Sequence, residues 1–269
     1  MTTTGTTAGT TTGTTTGTTA GTTTAVPGRL DGRVIALTGA GRGLGLVIAQ
    51  TLVDRGARLI ANYQHSVDEL AQLRDRHPAD VVLVQGDVGE ESTAQALADA
   101  ARSLGHLDTL IHNAAVTRDG LLVQMPVEDW DEVQRVNLRG AFLCTKHALR
   151  LMMRRRYGRI VYLSSVAAVM GNHGQANYAA SKSGLEGLAR TVAQEYARYN
   201  VRTVVLAPGI VATGLAVAID PKIQKAKVAQ LLLGESQPED VAAAVAFLAG
   251  PDADFVNATT LRLDGGVAF

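Results

Sequence analysis

The sequence predicts a single doubly wound α/β domain built on a parallel sheet of seven strands, and three observations predict it. Short, near-continuous apolar runs alternate with longer amphipathic stretches, as strands buried on both faces and their covering helices do. The first of these runs leads directly into the glycine-rich "TGAGRGLG" (38–45), the place where such sheets bind an anion at a helix N-terminus. About 240 residues remain beyond a compositionally simple beginning, enough for one domain with a substantial core.

The 269-residue chain starts with 24 residues that are only Met, Thr, Gly and Ala. Such a segment has little apolar surface to bury, so residues 1–27 are expected to be a disordered tail and 28–269 the folded domain. The start has no basic region followed by an apolar core, and no arginine, so neither a secretory signal nor a transit peptide is expected. Lys plus Arg and Asp plus Glu number 25 each, which gives no global field toward nucleic acid or a membrane. No apolar run approaches the roughly 18 residues that span a bilayer. The one cysteine, Cys144, excludes an internal disulfide framework, suits the reducing cytoplasm and sits in an apolar helical stretch as a core residue.

Strand one is read at 33–38 (RVIALT), and the loop after it carries Gly39, Gly43 and Gly45. Missing side chains let the backbone turn tightly and let a pyrophosphate approach the free N–H groups of the following helix. The spacing is G-x-x-x-G-x-G, so the loop alone could be an ordinary turn; its place between first strand and first helix favours a dinucleotide. Strand two (57–63) ends in "IANYQHS" with no acid from Ile60 to Ser66, where an NAD site would hold a ribose hydroxyl on Asp or Glu. Arg42 in the glycine loop could meet a 2′-phosphate, or merely face solvent. Together these favour NADPH. Strand three (81–85) runs into "GDV" (86–88), where Asp87 could accept from an adenine amino group or serve a plain turn.

Strand four (107–112) is followed by "HNAA" (112–115), then by a helical stretch from Pro126 to Arg154 that contains "VNL" with Asn137. Strand five (158–165) ends at Ser165. Tyr178, thirteen residues later, lies in "ANYAASKSG" (176–184), which opens the helix 178–199 and sets Tyr178 and Lys182 four apart, side by side on one face. An isolated pair of this kind is usually packing and a snorkelling lysine. On a partly buried face, however, the ammonium would favour the phenolate and pull the tyrosine down from its ordinary value near ~10, toward a working general acid. Strand six (201–208) leads into "APGIVAT" (207–213), residues 214–240 should form a lid, and strand seven is read at 259–266. No metal is called for.

Taken together, TGxxxGxG, HNAA, Asn137, Ser165, Tyr178 and Lys182 resemble the short-chain dehydrogenase/reductase family, over residues 29–269. Within it, "TRDGLL" (117–122), "SSVAAVMGNHGQANYAASKSG" (164–184), "AVAFLAG" and "LDGG" are most similar to the 3-oxoacyl-[acyl-carrier-protein] reductases. The resemblance implies a Rossmann-type fold and NADPH-dependent reduction of a 3-oxoacyl thioester on an acyl carrier protein, in fatty-acid or polyketide synthesis. It implies that Tyr178 donates the proton, Ser165 a second hydrogen bond to the same oxygen, and Lys182 a hydrogen bond to the nicotinamide ribose. Asn137 would hold a water joining Lys182 to a proton relay. The cofactor would lie against Gly39, Arg42, Gly43, Leu44, Gly45, Asn62, Tyr63, Asp87, Val88, Asn113, Ala114, Tyr178, Lys182, Pro208, Gly209, Val211 and Thr213. It further implies a homotetramer, through the helices at 126–154 and 178–199, and a carrier-protein dock at Arg155, Arg156 and Arg198.

The chain departs from that pattern at Ala115, where the family usually has Gly, at His112, which replaces a common Asn and is expected to be structural, and in the lid, where Glu235 replaces a frequent Arg. Two other functions keep the same residues in view: an NADP-dependent dehydrogenase of a free alcohol, sugar or steroid, and a non-catalytic NADP-binding protein.

Overall fold

The computed structural model describes residues 1–3, 5, 28–212, 228–229 and 231–266. All seven strands are present and parallel: β1 (Val34–Thr38), β2 (Arg58–Tyr63), β3 (Val81–Gln85), β4 (Thr109–His112), β5 (Gly158–Leu163), β6 (Val201–Pro208) and β7 (Thr259–Leu263). Their order across the sheet is β3-β2-β1-β4-β5-β6-β7. The expected tail and the expected lid lie largely outside the described residues.

Alternation along each strand explains why both faces are apolar. Ile35, Leu37, Leu59, Ala61, Val161 and Leu206 point to one face and join a core with α1 (Gly43–Asp54), α2 (Asp68–Arg76) and α8 (Pro238–Ala249). Val34, Ala36, Ile60, Ile160, Tyr162 and Val205 point to the other face. There they meet α3 (Glu91–Ser103), α5 (Gly140–Arg155) and α7 (Ala176–Tyr196). Cys144 is buried in this second core, as its neighbours in sequence suggested. A strand that serves two cores cannot show the polar alternation of a one-sided sheet, which is why these strands read as unbroken apolar runs.

The helical stretch read from Pro126 to Arg154 is helical without a break from residue 127, but not uniformly α. It is α4 (Val127–Gln134), a wide π turn at Arg135–Arg139, and then α5. Apolar periodicity cannot register one widened turn, because the residues on either side keep the same buried face. The turn places Asn137 in the interior, fully buried. The helix that carries Tyr178 starts two residues earlier than expected, at Ala176, with the short α6 (Ala167–Met170) between it and β5.

The chain winds outward from β1 in both directions, so the strand order reverses between β1 and β4. Crevices at that reversal, beyond the carboxyl ends of the strands, receive ligands in open parallel sheets. Thr38 and His112 are paired across it.

Candidate active site

The glycine loop is built around close approaches rather than around flexibility. Gly39 has φ +67°, and a Cβ on it would lie 2.8 Å from the Cα of Ala114. A Cβ on Gly45 would lie 2.0 Å from the carbonyl oxygen of Gly39. Arg42 precedes α1, no side chain caps that helix, and its first turn holds no acid. Its N–H groups and partial positive charge are therefore available to an anion, which is what a pyrophosphate requires. Arg42 is exposed, and among the described residues its guanidinium has no hydrogen-bond or ion-pair partner.

The loop is held from below. The Asn62 side chain accepts from the Gly39 N–H at 3.3 Å and donates to the carbonyls of Val84 and Gly86 at 3.2 and 3.0 Å. Both amide hydrogens of Asn62 are thus used inside the protein, so its side chain shapes the loop and has no N–H left for a ligand. Asn113 does the same from the other side, donating to the carbonyls of Thr38 and Gly39 at 3.2 and 3.0 Å. Leu44 packs on the core of the first face, and Tyr63 sits half-buried at the end of β2.

Asp87 is also engaged. Arg135 donates to it at 2.7 Å and the Gly89 N–H at 2.8 Å. Burial alone would raise its pKa, but these hydrogen bonds prevail and the carboxyl lies below its ordinary range. Arg135, from the π turn, was not singled out from the sequence; a single arginine among helical charges carries no sign of its partner. Val88, beside Asp87, is buried against Gly140.

At the carboxyl end of β5, Ser165 and Tyr178 meet: the Ser165 hydroxyl is close enough to the Tyr178 phenol to favour its ionised form. The Lys182 Nζ lies 5.6 Å from the centre of the tyrosine ring and donates to the Leu163 carbonyl at 2.7 Å. Tyr178 is 9% exposed and Lys182 2%. The expected downward pull on the tyrosine is not what this environment produces. Burial pushes Tyr178 up to about 12, with the neighbouring Ser165 hydroxyl opposing, and burial pushes Lys182 down to about 7. The expectation assumed a partly buried face; on a fully buried one, desolvation penalises phenolate and ammonium alike and outweighs their attraction.

The first turn of α7 is aimed by Asn177, which the sequence reading passed over. Its side chain accepts from the Tyr178 N–H at 2.7 Å and donates to the Arg118 carbonyl at 2.8 Å. Ala115, the departure from the family glycine, turns its methyl toward a small cluster of Val133, Ala167 and Tyr178.

Both amide hydrogens of the Asn137 side chain are used. That side chain accepts from the Val116 N–H at 2.8 Å and donates to the Val116 carbonyl and the Ser181 hydroxyl, both at 3.0 Å. Any water held by Asn137 must therefore use an oxygen lone pair, not its amide hydrogens. On the far side of the cleft, Pro208 ends β6, the Gly209 N–H donates to the Leu263 carbonyl at 2.9 Å, and Val211 bridges to Ser236. Thr213 lies outside the described residues. The structure therefore gathers Ser165, Tyr178, Lys182, Asn137 and the glycine loop at one end of the sheet.

Residues 39–268 match the family described as enoyl-(acyl carrier protein) reductase. The chain belongs to the short-chain dehydrogenase/reductase family. Among its relatives, the 3-oxoacyl-[acyl-carrier-protein] reductase FabG of Vibrio cholerae is 37% identical over 245 residues, covering 88% of this chain and 98% of the relative. The FabG protein of Thermotoga maritima is 35% identical over 243 residues, covering 89% and 99%. The 3-oxoacyl-[acyl-carrier-protein] reductase of Synechocystis is 36% identical over 245 residues, covering 88% and 98%.

The basic residues expected at a dock are only partly together. Arg156 donates to the Arg198 carbonyl at 3.0 Å, so these two form one corner. Arg155 pairs with the buried Asp108 at 3.1 Å. Arg159 belongs to the interior: it is fully buried on β5 and pairs with Asp254 at 3.0 Å. Strand periodicity decides this, because residue 159 falls on a strand packed on both faces.

Proposed function

We propose that this oxidoreductase reduces the keto group of a 3-oxoacyl thioester carried on an acyl carrier protein, using NADPH, to give the 3-hydroxyacyl thioester. The single observation that carries this reading is the grouping of Ser165 with the buried Tyr178 and Lys182 at the carboxyl end of the sheet, in a chain more than one-third identical to reductases of that substrate.

A nicotinamide cofactor held by the glycine loop and Lys182 would supply hydride chemistry at the substrate carbonyl. Tyr178 gives its proton to the carbonyl oxygen, and the Ser165 hydroxyl donates a hydrogen bond to that same oxygen. Two donors aimed where negative charge develops stabilise the transition state. A phenol held at about 12 is still a stronger acid than the alcohol being formed, so the transfer stays downhill. Lys182 has one of its N–H groups on the Leu163 carbonyl and two more to offer ribose hydroxyls and a proton relay.

The preference for NADPH rests on Arg42 at the mouth of the loop and on the absence of an acid at the end of β2. Arg42→Ala should cost about 1.5–3 kcal/mol in NADPH binding and little in NADH binding, as removal of one charged contact to a phosphate does. Titration with both cofactors checks this; equal losses for the two would remove Arg42 from the phosphate.

The corner of Arg156 and Arg198 is the proposed dock for the acidic carrier protein, with Arg155 behind it. Assembly as a homotetramer belongs to the same proposal, and the exposed Phe142 on α5 and Phe247 on α8 are apolar groups that packing between copies would cover. Among the described residues no helix is long and apolar enough to cross a membrane. A cytoplasmic place of work completes the proposal. Consumption of NADPH with an acetoacetyl thioester, beside a panel of free alcohols and ketones, separates this reading from a dehydrogenase of small alcohols and from a silent NADP-binding protein.

A further inference from the structure

His112 has two ring nitrogens and uses both. Its Nε2 lies 3.2 Å from the main-chain carbonyl oxygen of Asn137, which can only accept. Nε2 therefore carries the hydrogen, and Nδ1 has a lone pair. Nδ1 lies 3.3 Å from the Thr38 hydroxyl. That hydroxyl oxygen already accepts from the N–H groups of Asn113 and Ala114, each at 3.1 Å, so its own hydrogen points to Nδ1. Every donor in this fully buried chain has one direction, and only the neutral Nε2–H ring satisfies it. Burial, and then the nearby Lys182 ammonium, hold the imidazole down at about 3.

The ends of this chain are not equivalent. Thr38 is the last residue of β1, and its hydroxyl orders the start of "NAA" against the glycine loop. Asn137 lies in the π turn, and its side chain reaches the Ser181 hydroxyl, which in turn donates to the Tyr178 carbonyl at 2.7 Å. One imidazole thus spans the strand reversal between the cofactor loop and the helix that carries Tyr178 and Lys182.

We propose that His112 is a positioning residue, a neutral brace whose Nδ1 end sets the cofactor loop and whose Nε2–H end sets the proton-donor helix through Asn137. The proposal rests on the ketoreductase reading for its substrate, and on the geometry alone for the brace.

Two substitutions separate the ends. Gln at 112 can place its amide N–H near the position of Nε2 and donate to the Asn137 carbonyl, but leaves nothing at Nδ1 for Thr38. Met fills the space and offers neither. His112→Met should raise the dissociation constant for NADPH several-fold and lower kcat about ten-fold or more, the order of a lost hydrogen bond with a buried partner left unpaired. His112→Gln should restore kcat to within about three-fold of wild type while the dissociation constant stays raised. Equal kcat losses in Gln and Met, or wild-type behaviour of Met on both quantities, would overturn the brace.

Should Met fail to fold, a second measurement decides. In ¹⁵N-histidine spectra of the wild-type protein, one of the six rings, absent in His112→Gln, should stay neutral with its proton on Nε2 between about pH 5 and 8. A ring that titrates there, or carries its proton on Nδ1, contradicts the proposal. If the wild type fails to reduce the thioester, the substrate reading falls, while the NADPH constants and the tautomer still test the brace.

Discussion

Tyr178 gains its usefulness from position before acidity. Its phenol meets Ser165, its ring faces the Lys182 ammonium and its backbone N–H is held by the Asn177 side chain. Tyr178→Phe keeps the ring and removes only the transferable proton. It should leave NADPH binding nearly unchanged and lower turnover by about 10²–10⁴-fold, measured where chemistry limits the rate. Lys182 gives a prediction with a definite sign. Its folded pKa of about 7 lies below the ordinary value of 10.5, so between those values the unfolded chain binds more protons. The stability tied to this group therefore rises from pH 7 to 10.5 and is lost as pH falls back through that window. Lys182→Met has no charge to bury, so its advantage in melting temperature over the wild type should be largest near pH 7 and shrink toward pH 10. An advantage independent of pH would mean that Lys182 is not desolvated.

At the scale of the element, what was legible in the sequence and what was not follow from the same physics. The seven strands could be read because two covered faces demand unbroken apolar runs, as Val34 to Leu37 show. Tyr178 and Lys182 could be paired because four residues bring side chains together on any helix. The π turn around Asn137 could not be read, since a widened turn leaves the buried face in place. Nor could the internal partners of Asn62 and Asp87, because they come from distant elements whose approach only the fold determines. The end of α5 gives a further test. Arg156 closes it with φ 53°, a left-handed conformation that costs an L residue roughly 1–2 kcal/mol and a glycine far less. Arg156→Gly should therefore leave the melting temperature unchanged or higher, by up to about 1 kcal/mol of stability. A clear loss would show that the guanidinium supports the fold through the Arg198 carbonyl.

For the whole molecule the question is how a carrier protein meets the site. Arg156 lies before the amino end of β5 and Ser165 beyond its carboxyl end, so the basic corner stands about 25 Å from the chemistry along the strand. Docking there requires a long arm or the site of a neighbouring copy. Arg156→Glu should raise the apparent KM for a carrier-bound substrate several-fold, and salt should weaken the wild-type interaction. The same variant should handle a small free thioester as the wild type does; equal losses on both substrates would place Arg156 in the fold and not at a dock. The most direct test of the account is the rate of NADPH consumption by the purified protein with acetoacetyl-acyl carrier protein, with NADH and a panel of free alcohols and ketones as controls. The account predicts fast, NADPH-preferring reduction of the thioester that collapses in Tyr178→Phe. No turnover of the thioester, or faster turnover of a free alcohol or ketone, would contradict it.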